Sequence, residues 1–233
     1  MKTLLIIGAG GLGKEVVDIV QSSSQGGEYD LAFVDDVIPP NTIVHGVRVL
    51  GNCSILREVA PESTDICVAV GNPANRRRLT EEIEGYGLSF ATVIDPSALI
   101  RSSSVLGTGV IIGARAFLSC NTVIGSHAVI NPCALVGHDV VIGPYAVVGG
   151  GALLSGGVRI GEGTVVGAGA SILYNTAVGD WATVGMGAAV FASVENEITV
   201  LGNPARALPV MRMKAEESTT STDSKIATAP ITP

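Results

Sequence analysis

Every sixth residue from Ile100 to Val190 is isoleucine, leucine or valine, with no insertion to break the count. Glycine follows the aliphatic in most hexads, as at Leu106-Gly107, Ile124-Gly125, Ile142-Gly143 and Val184-Gly185. Two positions before each aliphatic, from Ser104 to Ala188, the residue is always Ser, Thr, Ala or Val. Neither the helical period of about 3.6 nor the strand period of about 2 yields a period of six by itself. One short strand plus one turn per hexad does, and three hexads, about 18 residues, close one coil of a three-sided parallel β-helix. Residues 100 to 190 then make about five coils, with the aliphatics stacked inward on residues 18 positions away and small residues in crowded corners. The glycine beside each aliphatic is expected to supply positive φ at the turns, which other residues adopt at a cost.

The preceding residues follow another rhythm. Thr3 to Ile7 reads as a strand, Gly8 to Gly13 as a glycine turn, and Lys14 to Val20 as a helix carrying Val16, Val17, Ile19 and Val20. Leu31 to Val34 is a second strand ending in Asp35-Asp36, and Ile66 to Val70 a third ending in Gly71-Asn72. Asn75 to Glu84 is a helix with a basic start, and Ser89 to Ile94 a fourth strand. Such alternation implies a small Rossmann-like α/β domain whose parallel sheet takes ligand at its carboxyl ends. Asp95-Pro96 marks a boundary, giving an α/β domain at 1–94, a β-helix at 95–213, and an aperiodic tail at 214–233 that reads as disordered.

Composition excludes several classes. With 47% hydrophobic, 15% charged and 4% aromatic residues, a mostly disordered chain and a coiled coil are both ruled out. The net charge of −7 lacks the electrostatic footprint of a nucleic-acid binder. The first apolar run, Leu4 to Ile7, is too short for a signal peptide or a membrane span, so a cytoplasmic protein with no membrane partner is expected. Cys53, Cys67, Cys120 and Cys133 form no CxxC pair and sit on apolar stretches, which reads as buried free thiols rather than disulfides or a metal site.

Gly8, Gly10 and Gly13 satisfy G-x-G-x-x-G between strand and helix, and Asp35 follows at the distance of a ribose acceptor. Three readings stand: a nucleoside-diphosphate site, an NAD site, and a purely structural turn. The domain has room for one mononucleotide half only, which favours the first. Of the three histidines, His45 reads as a surface loop residue and His127 as a solvated turn residue. His138 is followed by Asp139, an acid that can hold the imidazole tautomer and raise its basicity, so it is the candidate general base. One His-Asp pair and scattered cysteines lack the ligand count for a metal.

The GAGGLG turn, the strand endings FVDD and AVGN, the GHDVVIG hexads and the closing LGNPAR together resemble the bacterial nucleotide-sugar N-acetyltransferases, over residues 1 to about 210. That family acetylates UDP-linked 4-amino-4,6-dideoxy sugars, and its sister group includes the sialic-acid O-acetyltransferases. The resemblance implies a left-handed β-helix, a homotrimer, acetyl-CoA as co-substrate between neighbouring β-helices, and a nucleotide sugar reaching in from domain one. It implies His138 as base, Asp139 as its acidic neighbour, and Asn131 near the amino sugar. It places Gly10, Gly11, Leu12, Asp35, Asp36 and Gly71 against the nucleotide sugar, and Val147, Ala168, Gly185 and Met186 against acetyl-CoA. The family often has histidine at the positions of Leu12 and Val147. Direct transfer is expected, because Cys120, one coil from His138, has no evident activating partner. The competing classes are an NAD-binding regulatory or redox protein and a noncatalytic β-helix scaffold.

Overall fold

The computed structural model describes residues 2–23 and 27–208, so the tail at 214–233 lies outside the described residues. The first domain runs β1 (Lys2–Ile7), α1 (Gly11–Ser22), β2 (Tyr29–Val34), β3 (Ile43–Val44), β4 (Val47–Gly51), β5 (Thr64–Val68), α2 (Pro73–Glu84) and β6 (Ser89–Phe90). These strands form one sheet in the order β3-β4-β2-β1-β5-β6, parallel except for the β3–β4 hairpin. Leu4 to Ile7 are buried without alternation because a layer covers each face of the sheet. One face packs on α2 through Leu5, Ile7, Ile66, Leu79 and Ile83. The other packs on α1 through Leu4, Ile6, Val16, Val17 and Phe33, and this layer continues into Val93, Ile111 and Val129 of the β-helix. Helix α1 therefore lies between the sheet and one face of the prism.

The 89–94 stretch, expected as one strand, is two. Ser89–Phe90 closes the first sheet, whereas Val93–Ile94 pairs with Ile111–Ile112 and opens the β-helix. The β3–β4 hairpin, expected as a polar loop, escaped the sequence reading because both strands are short and interrupted by His45-Gly46.

The β-helix has three parallel sheets, here faces one, two and three, visited in turn by successive hexads. Face one carries Val129–Ile130, Val147–Val148, Val165–Val166 and Thr183–Val184. Face two carries Phe117–Leu118, Leu135–Val136 and Leu153–Leu154, and face three Val123–Ile124, Val141–Ile142 and Arg159–Ile160. Pairing is 18 residues apart throughout, as in Ile112 with Ile130 and Val136 with Leu154. The inward aliphatics and small residues form one continuous buried column. Beyond Val190 the coil shortens, and Val200 pairs with Val184 at a spacing of 16 before an antiparallel hairpin ends the stack.

Positive φ does not fall on the glycines beside the aliphatics. From Gly109 to Gly187 it falls on every sixth residue, two places later, and Arg115, Asn121, His127, Asp139 and Tyr145 all adopt it. The glycine after the aliphatic answers a different demand, close approach between coils. A Cβ at Gly125 would collide with the Pro144 backbone one coil on, and one at Gly113 would lie 2.8 Å from the Pro132 nitrogen.

Gly125→Ala should therefore lower stability by about 1–3 kcal/mol through overpacking, while Arg115→Gly, at φ +57, should be neutral or stabilising. Urea unfolding of the two variants checks the assignment.

Candidate active site

The glycine turn divides its labour. Gly8 has a φ of +99, and a Cβ at Gly13 would strike the Gly8 carbonyl and the Phe33 ring, so these two serve the turn and the helix–strand packing. Gly10 and Gly11 face open space. Helix α1 has no side-chain N-cap and no acid in its first turn, which leaves its leading N–H groups and dipole available to an anion. Helix α2, in contrast, is capped by Asn72, whose side chain accepts from the Asn75 N–H at 3.0 Å.

Beside this turn, at the carboxyl ends of β1, β2 and β5, lies a cleft of about 280 Å³ lined by Gly8, Asp35, Asp36, Cys53, Asn75 and Arg78, among others. Both Asp35 oxygens are engaged, Oδ2 by the Ala9 N–H at 2.9 Å and Oδ1 by those of Val37 and Ile38 at 2.9 and 3.0 Å. Burial raises the Asp35 carboxyl, but these three donors outweigh it and hold the group below the usual range. Asp35 thus braces the β2 loop against the glycine turn. Asp36 is exposed and accepts from the Cys53 N–H at 3.0 Å through one oxygen. The Cys53 thiol is pushed up to about 12, by burial first and by Asp36 second, so the thiol adds no charge to the cleft. Gly71 sits at the end of the β5–α2 connection, and its carbonyl accepts from Arg76.

Arg76 escaped the sequence reading, where Arg76-Arg77-Arg78 marks only a basic helix start. It is buried, 1% exposed, and donates through Nη1 to the Val70 and Gly71 carbonyls at 2.6 and 3.1 Å. Across the domain boundary it donates through Nε to the His127 carbonyl at 2.9 Å and through Nη2 to the Tyr145 carbonyl at 2.6 Å. Burial pushes the guanidinium down to about 10, which leaves it charged at neutral pH and satisfied by carbonyls alone. One side chain thereby ties the β5–α2 loop to two turns of the β-helix.

His127 is likewise not solvated. It is 4% exposed, stacked on Tyr145 at 5.3 Å and edge-on to Phe90 at 4.7 Å, because its turn is the one that domain one covers. The buried-thiol reading also fails for two of the four cysteines. Cys67 is buried and Cys53 half-buried, but Cys120 and Cys133 occupy turn positions and are exposed. His45 sits at the tip of the β3–β4 hairpin and pairs with Asp18 at 2.7 Å.

His138 lies on the edge between faces two and three. Its Nδ1 meets Asp139 Oδ2 at 2.7 Å, and the other Asp139 oxygen accepts from Asn121 Nδ2 at 3.1 Å. The imidazole and Asn121 contacts together lower the Asp139 carboxyl. An ionised Asp139 keeps the proton on Nδ1 and leaves Nε2 unprotonated, with its lone pair available to accept. The His138 side chain is 65% exposed, so among the described residues nothing covers the imidazole.

The remaining candidates lie elsewhere. Asn131, Ala168, Gly185 and Met186 occupy the edge between faces one and two. Asn131 donates to the Val148 carbonyl at 3.0 Å. Val147 points out from face one into the apolar seam with domain one, which it shares with Leu12 of the α1 first turn. One chain thus holds His138 and Asp139 on the edge between faces two and three, apart from Val147 on face one and from Asn131, Ala168, Gly185 and Met186 on the edge between faces one and two. Among the described residues no group of three His, Cys, Asp or Glu could hold a metal ion, and no helix is long and apolar enough to cross a membrane.

The fold is that of a hexapeptide-repeat protein with an α/β amino-terminal domain. Residues 3–83 match the PglD N-terminal domain, and residues 121–156 match the bacterial transferase hexapeptide of six repeats. The chain is 35% identical to the acetyltransferase domain of PglB from Neisseria gonorrhoeae, solved in complex with acetyl coenzyme A, with a TM-score of 0.84 over 89% of this chain and 99% of that one. A mutant of perosamine N-acetyltransferase from Caulobacter crescentus, in complex with CoA and GDP-perosamine, matches at 29% identity and a TM-score of 0.84, covering 90% of this chain and 98% of that one. GDP-perosamine N-acetyltransferase of Escherichia coli O157:H7 is 34% identical over 111 residues, 46% of this chain and 49% of the relative. The chain spans about half the length of the curated relatives it matches. The chain belongs to the nucleotide-sugar N-acetyltransferase family of hexapeptide-repeat acyltransferases.

His127 supplies a pH signature for the seam. Burial, and then the Arg76 charge, pushes it down to about 4 from 6.5. Between those values the unfolded chain binds more protons than the native one, so stability rises with pH across that window and falls on acidification. The loss from this group is about 3 kcal/mol. Unfolding curves at a series of pH values should show that slope in the wild type and a shallower one in His127→Gln.

Proposed function

We propose that the protein transfers the acetyl group of acetyl-CoA to the amine of a nucleotide-linked amino sugar, a UDP-linked 4-amino-4,6-dideoxy sugar, with His138 as general base. The observation that carries this reading is the His138–Asp139 contact at 2.7 Å in an imidazole that is 65% exposed on the edge of the prism. The uncapped start of α1 at Gly10, Gly11 and Leu12 takes the diphosphate, and the cleft with Asp36 takes the nucleoside. Asp35 acts through the loop that it braces. Because backbone donors already take three of the roughly four acceptor sites of its carboxylate, the NAD reading, in which the acid must hold the ribose hydroxyls, is disfavoured.

In the reaction, the lone pair of the neutral sugar amine attacks the thioester carbonyl carbon and forms a tetrahedral oxyanion. The amine proton passes to Nε2 of His138, and Asp139 stabilises the imidazolium. The C–S bond then breaks, the amide forms, and the proton leaves with the thiolate as CoA-SH. No acyl-enzyme is needed. Cys120 is exposed, and among the described residues its thiol meets only the Ser119 hydroxyl, 4.0 Å away.

The split between the two edges calls for a homotrimer, in which the His138 edge of one copy meets the Asn131–Ala168–Met186 edge of the next. Outward-facing Leu99, Leu135 and Leu153 on face two are 50%, 45% and 42% exposed, a strip of apolar surface suited to contact with further copies. Such a trimer places acetyl-CoA along Val147, Ala168, Gly185 and Met186 of the neighbour. The free thiols suit the reducing cytoplasm, where we place the reaction.

CoA release measured against UDP-, GDP- and dTDP-linked amino sugars, with matched hydroxy sugars, tests donor, nucleotide and N- over O-transfer together. Turnover of UDP-amino sugars alone is expected. Turnover of hydroxy acceptors would favour an O-acetyltransferase, and stabilisation by NAD alone would overturn the reading. His138→Ala should lower kcat about 10²- to 10⁴-fold with little change in acetyl-CoA affinity. Asp139→Asn should cost less, because the amide oxygen can still accept from Nδ1 while the negative charge that stabilises the imidazolium is lost. Leu135→Glu should dissociate the trimer, read by sedimentation.

A further inference from the structure

We propose that Gly156 is a positioning residue for His138: it lacks a side chain so that the imidazole can lie against its α-carbon with Nε2 presented on the edge of the prism. A Cβ built at Gly156 has the His138 ring as its three nearest neighbours, with Nε2 at 2.5 Å, Cε1 at 2.6 Å and Cδ2 at 3.1 Å. The backbone makes no such demand. Gly156 has no positive φ. The same turn position, recurring every six residues, holds Ser126, Glu162, Tyr174, Asp180 and Met186 elsewhere in the stack. Glycine at 156 is therefore explained by the ring above it.

The seat works together with Asp139. The acid holds Nδ1 at 2.7 Å, which fixes one edge of the ring, and the bare α-carbon of Gly156 lets the opposite edge settle on the next coil. The coil register sustains the arrangement, since the Gly157 N–H donates to the His138 carbonyl at 2.8 Å. A methyl group at 156 would force Nε2 back by about 0.9 Å to reach the ordinary contact of 3.4 Å. The side chain is 65% exposed and free to swing outward, so the fold can absorb the change while the base cannot keep its place.

This inference rests on His138 being the base, and the experiment separates the two claims. Gly156→Ala, Asp139→Asn, their double variant and His138→Ala are compared for kcat, KM, melting temperature and oligomeric size. Gly156→Ala is expected to fold and assemble as the wild type does, to keep its KM for acetyl-CoA, and to lose about 10²-fold in kcat, as a displacement of that size costs in an aligned site. The double variant should be no slower than the slower single one, because both substitutions release the same ring. Wild-type kcat in Gly156→Ala, with His138→Ala inactive, overturns the seat and leaves the base standing. Multiplicative losses in the double variant overturn it too, as does a Gly156→Ala protein that fails to fold, since glycine would then serve the backbone. Wild-type turnover by His138→Ala overturns the base itself and the seat with it.

Discussion

The 18-residue register of parallel coils is the constraint on which the rest of the protein depends. Ile112, Ile130, Val148, Val166 and Val184 lie one above another because each coil returns its chain to the same azimuth. The return is tight enough that the residue after the aliphatic often has no space for a Cβ. Such a stack carries side chains at fixed heights and angles, so the chemistry can be assigned to edges. His138 and Asp139 stand on one edge, Ala168 and Met186 on another, and the edge bearing His127 and Tyr145 faces domain one.

Domain one adds a second fixed relation. Helix α1 packs its apolar face on Val93, Ile111 and Val129, while Arg76 spans the boundary with donors to Gly71 on one side and to His127 and Tyr145 on the other. A buried guanidinium satisfied only by carbonyls tolerates little displacement, since each lost hydrogen bond would leave a desolvated group unpaired. The apolar seam supplies adhesion and Arg76 supplies direction, so the glycine turn of α1 keeps a constant place relative to the coils.

Much of this was legible in the sequence because it is periodic or local. The hexads gave the core columns, the small corner residues and the coil length. The His138-Asp139 dipeptide and the exposed glycines of the α1 turn are adjacent pairs that need no tertiary knowledge. Reading the glycine after each aliphatic as a positive-φ residue was wrong because the sequence records absence of a side chain without its reason, and close approach between coils is visible only in three dimensions. The buried state of His127 and the role of Arg76 depend on where domain one docks, which no local pattern encodes. The separation of the two edges was available from the count, since His138 and Ala168 differ by 30, which is not a multiple of 18.

The central claim is that one active site draws on two protomers. Subunit complementation tests it directly, using His138→Ala, which removes the proposed base, and Gly11→Asp, which sets a negative charge in the open space proposed for the diphosphate. Each variant alone should be inactive. When the two are unfolded and refolded together at equal amounts, sites that combine His138 of one copy with Gly11 of the next should restore about a quarter of wild-type activity by random mixing. A mixture no more active than the separate variants would contradict the shared site and return catalysis to a single chain.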